Sequence, residues 1–449
     1  MCGNGSVRSA EMVAYAIVPD AVSFMPGSYV RRVIDTELDE LFLQLPAIVL
    51  DGPKGVGKTA TAEQRCSSIR RLDVAGQRAV LEADPSLVGQ DPKPVLIDEW
   101  QRLPAVWDAV RRLVDQDHTG GQYLLTGSAP LASTHSGSAR IVDLRMRPLC
   151  LGERHVAQPT VSFSALAGGT AATLSGSTTF ALTDYVDEII AGGFPGLRHL
   201  TGRALTAQLD SYVERLASHD LPDVGFSPRR PGTLMAWLRA YAAATATTAT
   251  WETLRNAATA GIGNKPAKTT TSEYGELLGE LRVLDPLEAW IPSRNHLGRL
   301  ASAGKHHLCD PALAVRLLGR TKRHLLSAND DVKFVLPNDG TLLGNLFESL
   351  VALSVRTYAQ AIGGATYHLR TEAGRHEVDF IVETDNGVLA VEVKLSGNVD
   401  DDDVRHLIWL REQLGDNFID GIVITTGTDA YRRRDGIGVI PLALLGESH

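Results

Sequence analysis

The run Gly52-Pro53-Lys54-Gly55-Val56-Gly57-Lys58-Thr59 follows directly on the apolar stretch Ala47-Ile48-Val49-Leu50. Its spacing is that of a phosphate-binding loop, G-x-x-x-x-G-K-T/S, at the end of a strand. Gly52, Gly55 and Gly57 let the backbone turn tightly, so that successive N–H groups face phosphate oxygens. Lys58 supplies a positive charge for the β- and γ-phosphates, and Thr59 a hydroxyl for Mg2+. Thr59 also opens an expected helix with Ala62, Cys66 and Ile69 on one face, which sets the phosphate at a helix N-terminus. The expected ligand is ATP with Mg2+, held by Gly52, Gly55, Val56, Gly57, Lys58, Thr59, Ala60 and, further along, Thr126.

Val95-Leu96-Ile97 reads as a strand whose tip carries Asp98-Glu99. One carboxylate there holds Mg2+ through its water shell and a second orients the attacking water, so Asp98 is assigned to the metal and Glu99 to the water. A pair of solvated acids ending a strand is the plainer alternative. Tyr123-Leu124-Leu125 then runs into Thr126-Gly127-Ser128. Thr126 and Ser128 are candidates to sense the γ-phosphate, against the alternative of a simple turn. Charge developing during phosphoryl transfer also calls for a cation. Arg140 and Arg147 are the nearest downstream, each set against the reading of an ordinary surface arginine. The sequence leaves open whether such a residue serves its own chain or a neighbour's site.

A second constellation lies near the C-terminus: Glu377-Val378-Asp379-Phe380-Ile381-Val382, then Val388-Leu389-Ala390-Val391-Glu392-Val393-Lys394, joined by Asp385-Asn386-Gly387. Alternation puts Glu392 and Lys394 on one strand face and Val391 and Val393 on the other. The turn makes the two runs a hairpin, and antiparallel pairing brings Asp379 alongside Glu392. Carboxylates so placed hold a divalent metal, with Glu348 of the helical stretch Leu346–Leu350 as a third acid, while Lys394 stabilises the attacking water or the phosphate charge. The alternative is a solvated Glu–Lys pair on an exposed strand face.

These side chains need elements to position them. A helix around Val106–Val114 and strands at Ala79-Val80-Leu81 and Ile141-Val142 complete an alternation that implies a parallel sheet with helices on both faces. Ligands bind at the carboxyl ends of such strands, where the motifs fall. Residues 25–155 are assigned to this unit. Residues 156–182, rich in Ser, Thr, Ala and Gly, read as a flexible linker or insertion. Residues 183–330 read as a helical adaptor, with Val283-Leu284 pairing Glu288-Ala289-Trp290. After that pairing come Arg294, His296, Arg299, Lys305, His306 and His307, forming either a nucleic-acid-facing wing or a solvated loop. The histidines have no partner spacing that supports a metal site. Residues 331–449 hold the second constellation, a helix near Val404–Leu414 and the strand Ile422–Thr425.

The chain of 449 residues, 44% hydrophobic and 22% charged, has the composition of an ordinary globular protein. No apolar run approaches a membrane span, and the patch from Met12 to Val18 lacks the basic flank of a signal peptide. Cys2, Cys66, Cys150 and Cys309 form no C-x-x-C pair, so a reducing, cytoplasmic setting is expected. A net charge of −9 argues against general coating with nucleic acid but permits a local basic groove. DNA, a second copy of the chain or another protein all stay open as partners.

The segments 52–59, Asp98-Glu99-Trp100-Gln101-Arg102-Leu103-Pro104 and Leu125-Thr126-Gly127-Ser128 resemble a group of prokaryotic AAA-type P-loop ATPases that carry a C-terminal domain of unknown function. Ala139-Arg140 stands where that group has a Gly-Arg pair, and Gly192-Gly193-Phe194-Pro195 matches a segment seen there. The resemblance covers residues from about 25 to about 430. It implies an α/β ATPase unit and a winged-helix-like adaptor. The order of elements around Asp379 and Glu392-Val393-Lys394 resembles the restriction-endonuclease-like nuclease superfamily, implying an α/β C-terminal domain. Two functions follow as expectations: an ATPase coupled to a nuclease-like domain in a DNA-directed process, or a nucleotide-switched regulator whose nuclease-like domain is silent.

Overall fold

The computed structural model describes residues 29–447 apart from 129–139, 172, 224, 229, 260–264, 292–302, 328–340, 372 and 373. The chain begins with α1 (Val33–Phe42) and continues through β1 (Ala47–Asp51), α2 (Lys58–Glu63), β2 (Ser68–Arg71), α3 (Ala75–Ala83), β3 (Val95–Asp98), α4 (Ala105–Gln116), β4 (Tyr123–Gly127) and β5 (Val142–Arg145). Among the described residues these strands form a parallel sheet in the order β2-β3-β4-β1-β5. β3 and β4 are buried along their whole length and β1 along all but its last residue, as apolar runs covered on both faces must be. Alternation splits their side chains. Ile48, Leu50, Leu96 and Leu124 pack with Leu38 and Phe42 of α1, while Val49, Ile97 and Leu125 pack with Val106, Trp107 and Val110 of α4.

Two expectations fail here. Ala79-Val80-Leu81 lies within α3, with only Leu81 of that helix buried. The strand in question is instead Ser68–Arg71, a half-buried, arginine-bearing edge with no apolar run to betray it. Its charged residues suit an edge that must not recruit another strand. The helix opening at Thr59 stops at Glu63, and Ile69 belongs to β2.

Residues 156–182 are not a free connection. β6 (Val161–Ser162) pairs with the C-terminal β13 (Leu445–Gly446), and Ser177 bridges Asp429. α5 (Phe163–Ala167) buries Phe163 and Leu166. Small and polar composition therefore marks a strap over the C-terminal domain, held by backbone hydrogen bonds.

The adaptor is helical: α6 (Leu182–Ala191), α7 (Gly202–Arg215), a π-helical turn (Leu216–Asp220), α8 (Leu221–Asp223), α9 (Pro231–Ala243), α10 (Trp251–Thr259), α11 (Lys268–Glu280), α12 (Pro311–Leu317) and α13 (Lys322–Leu326). Its extended segment pairs differently from the expectation. Leu284 bridges Leu308 and Leu287 bridges Lys305 in antiparallel fashion, whereas Ala289 bridges His368 of the C-terminal sheet. The hairpin thus runs from the adaptor into the last domain. Lys305, His306 and His307 are buried, so they form neither a nucleic-acid-facing wing nor a solvated loop. Arg294, His296 and Arg299 lie outside the described residues.

The last domain comprises α14 (Leu342–Ala361), β7 (Ala365–Arg370), β8 (Glu377–Thr384), β9 (Gly387–Lys394), α15 (Asp401–Leu414), β10 (Phe418–Thr425), β11 (Tyr431–Arg432), β12 (Gly438–Pro441) and β13. The sheet order is β11-β12-β10-β9-β8-β7. β8 is antiparallel to both of its neighbours, β7 and β9, and β10 lies parallel to β9. Leu346, Phe347 and Leu350 of α14 pack on one face with Phe380, Val391 and Ile424. Val404, Leu407 and Leu410 of α15 pack on the other with Val378, Ala390 and Val423.

Candidate functional site

The loop 52–59 leaves β1 and enters α2. Gly57 caps that helix at φ 97°, a left-handed conformation that strains any residue with a Cβ. Gly52 is required for a different reason: a Cβ there would stand 2.1 Å from the carbonyl oxygen of Met146. Lys58 is buried, and its Nζ donates to the carbonyls of Gly52 (2.6 Å) and Pro53 (2.9 Å). Burial pulls its ammonium down to about 8, against the opposing pull of Glu99 and Asp51. Val56 is buried, while Ala60 is exposed in the first turn of α2.

Thr59 Oγ1 donates to Asp98 Oδ1 at 2.7 Å, and Thr126 Oγ1 donates to the same oxygen. Asp98 and Thr126 are both buried. A hydroxyl and a carboxylate side by side at the strand ends are the donors that Mg2+ takes in such loops, so these residues fit the metal. Thr126 orients Asp98 rather than standing alone as a turn residue. Glu99 sits next to it in a left-handed conformation, φ 55°, with Oε2 accepting from Gln101 Nε2 at 2.5 Å. Burial and the neighbouring Asp98 raise its carboxyl above the ordinary range. Glu99 and Ser128 line an open pocket with Lys54, Gln101, Arg102, Asp220 and Asp223.

Arg140 is not brought to this site in its own chain. It precedes β5, whose Val142 lies opposite Ile48 near the start of β1, whereas the loop leaves the other end. Its guanidinium pairs with Asp115 near the end of α4. Arg147 lies at the correct edge but is bound to Asp285 at 2.9 Å and Gln360 at 3.0 Å.

Several residues with no site role expected from the sequence support the loop. Arg32 Nη1 donates to Val56 O at 3.0 Å, while its Nε pairs with buried Glu153 at 2.9 Å. Lys54 pairs with Asp220 at 2.6 Å, at the end of the π-helical turn. The Gly192–Pro195 segment covers the loop: Phe194 and Pro195 stand over Gly55 and Gly57, and Gly193 O accepts a backbone bond from Leu149 N. Only the last of these had a sequence signal.

Behind the loop lies a charged junction of all three parts. Asp51 pairs with Arg282 at 2.5 Å and Arg145 at 3.8 Å. Asp285 pairs with Arg145 (3.6 Å), Arg147 (2.9 Å) and Arg356 of α14 (2.9 Å). These arginines hold the buried Asp285 carboxylate far below its ordinary range despite burial, and burial with arginine neighbours lowers Arg356 to about 10.

Residues 44–155 match the model of an AAA domain. The N-terminal part is an AAA-type P-loop unit, and the match supports ATP binding and hydrolysis. Residues 182–324 match a domain of unknown function (DUF8612), and residues 343–445 another (DUF4143). No curated protein matches the chain. Among solved structures, protein VC1899 from Vibrio cholerae is 13% identical, with 88% of this chain and 94% of that chain covered at a TM-score of 0.19. Among the described residues no helix is long and apolar enough to cross a membrane.

The second constellation is also brought together. Phe380 pairs Val391 in the β8–β9 register, which sets Asp379 beside Glu392, and Asp379 Oδ2 accepts from Val393 N at 2.9 Å. Lys305 Nζ, from the adaptor hairpin, lies 2.7 Å from Asp379 Oδ1, 2.9 Å from Glu348 Oε1 and 3.5 Å from Glu377 Oε1. Lys394 pairs with Glu392 at 3.4 Å and Asp403 at 3.6 Å. Glu392 is buried with Oε2 lacking a hydrogen-bond partner, and burial beside Asp379 raises its carboxyl well above the ordinary range. Among the described residues no group of His, Cys, Asp or Glu is arranged to hold a metal ion. Glu348, Asp379 and Glu392 therefore do not fit a divalent metal in this arrangement, because an ammonium stands among them.

Proposed function

We propose that the chain is an Mg2+-dependent ATPase whose nucleotide state is passed through the helical adaptor to a nuclease-like C-terminal domain, in a process directed at DNA. The observation that carries this reading is the bonded set Thr59–Asp98–Thr126 beside buried Lys58. In this reading Lys58 leaves the loop carbonyls for the β- and γ-phosphates, and the loop N–H groups bind their oxygens. Bound Mg2+ would neutralise charge on the β- and γ-oxygens. Glu99, held by Gln101, orients the attacking water and takes its proton, a task its raised affinity for protons suits. Arg140 faces away from its own loop, whereas Lys54 and Arg102 line the pocket beside Glu99, so the cation for the transition state is assigned to that pocket.

The nuclease-like part of the reading is supported by the helix–strand order α14-β7-β8-β9-α15-β10 and the meeting of Asp379 with Glu392. A second reading, a nucleotide-switched regulator with a silent nuclease-like domain, is favoured by the presence of Lys305 among the carboxylates. One paired assay tests both, following ATP turnover and Mn2+-dependent DNA cleavage in wild type, Lys58→Ala and Asp379→Ala. The first reading expects Lys58→Ala to lose ATP turnover and Asp379→Ala to lose cleavage. Wild-type chain that hydrolyses ATP yet cuts no DNA leaves the second reading. Normal ATP binding and turnover in Lys58→Ala contradicts both.

A further inference from the structure

The ammonium of Lys305 is not an incidental neighbour of the carboxylates. The side chain is 2% exposed, although it belongs to the adaptor and not to the domain whose acids it meets. Its backbone is fixed in the hairpin: Lys305 N donates to Leu287 O at 2.8 Å, and Leu287 N donates back to Lys305 O at 2.9 Å. His368, on the neighbouring β7, is likewise tied to that segment, with Nε2 3.0 Å from Ala303 O. The Nζ–oxygen distances of 2.7 Å to Asp379 and 2.9 Å to Glu348 are those of charge-assisted hydrogen bonds, and Glu377 adds an ion pair at 3.5 Å. A buried ammonium is tolerated only when paired in this way. By the same reasoning, acids crowded as Glu348, Asp379 and Glu377 are need a cation at their centre, and the fold already supplies one.

We propose that Lys305 is the resident cation of this cluster, standing where a divalent ion would otherwise be held. The acids become a metal site only when the 303–309 segment withdraws its ammonium. A dication and the ammonium cannot share the position, because the two repel strongly in a buried setting. The domain as folded here is therefore closed to metal-dependent chemistry, and the closing element is an adaptor strand. Its partner strand carries Asp285, whose carboxylate is held by the junction behind the phosphate loop. The proposal goes beyond the ATPase reading and does not depend on it: loss of ATP turnover would leave it intact.

The test is Mn2+ titration of the full chain without nucleotide, following free Mn2+ by electron paramagnetic resonance. Wild type is expected to show no site that Asp379→Asn removes. Lys305→Ala is expected to gain a site at least about tenfold tighter than anything in wild type, since one repelling charge is gone, and the added Asp379→Asn change is expected to abolish it. Lys305→Gln, which keeps a hydrogen-bond donor without the charge, serves as the second variant, with circular dichroism reporting folding. A wild-type site lost on Asp379→Asn overturns the proposal, whatever the Lys305 variants do. So does a folded Lys305→Ala or Lys305→Gln chain that gains no Mn2+.

Discussion

Lys58 shows how a single residue is prepared for its ligand. Burial disfavours its charge and lowers it to about 8 from an ordinary 10.5. Between those values the unfolded chain binds more protons than the folded one, so the nucleotide-free protein gains stability as pH rises through that window. Phosphate reverses the balance, because an anion beside Nζ holds the proton on. Nucleotide binding near pH 8.5 should therefore take up protons, and affinity should fall as pH rises past 8. Calorimetry in buffers of different ionisation enthalpy measures this uptake; in Lys58→Ala it should vanish. Glu99 is prepared in the opposite sense. Its left-handed backbone and its bond from Gln101 hold a carboxylate that burial makes more basic. Strain of this kind persists only where surrounding structure enforces it, and Gly127 allows that enforcement: a Cβ there would stand 2.5 Å from Gln101 Oε1.

At the scale of elements, the adaptor hairpin joins the two charged centres. Arg282 follows α11 and reaches Asp51 at the end of β1, while the next residues carry Asp285, then Leu287 opposite Lys305. Movement of the loop on nucleotide binding would act on Asp51 first. Hydrogen exchange of the 303–309 amides should change when wild type binds ATP. Arg282→Ala should bind ATP yet show little of that change, since its tie to Asp51 is cut; an undiminished response would assign the coupling to another route. The hairpin also shows what a sequence conceals. The phosphate loop, the Asp98 strand, Thr126 and the Asp379–Glu392 pairing were legible, because each is a local pattern on a strongly apolar strand. Ser68–Arg71 was not, because an edge strand need not be apolar. Residues 156–182 looked like a linker because hydrogen bonds made by backbone leave no trace in composition. Lys305-His306-His307 looked like surface because their partners lie dozens of residues away: Lys305 meets Asp379, and His306 Nε2 lies 2.7 Å from Ala249 O.

On the scale of the whole molecule, the AAA unit, the adaptor and the C-terminal domain meet at one charged junction, where Asp51 and Asp285 pair with Arg145, Arg147, Arg282 and Arg356. Arg147, a candidate cation for catalysis set against an ordinary surface arginine, belongs to that junction through its partners Asp285 and Gln360. Glu392 and Lys394 form the pair that the strand alternation implied, but Lys305 alters what the neighbouring acids can bind. In the proposed function the loop, Asp98 and Glu99 together form the ATP-hydrolysing site. Steady-state phosphate release by full-length Glu99→Gln, alongside its affinity for ATP, tests it most directly. Its ATP affinity is expected to stay close to that of wild type, with turnover reduced roughly 10²–10⁴-fold, the span that a positioned general base contributes. Turnover at the wild-type rate in Glu99→Gln would contradict it.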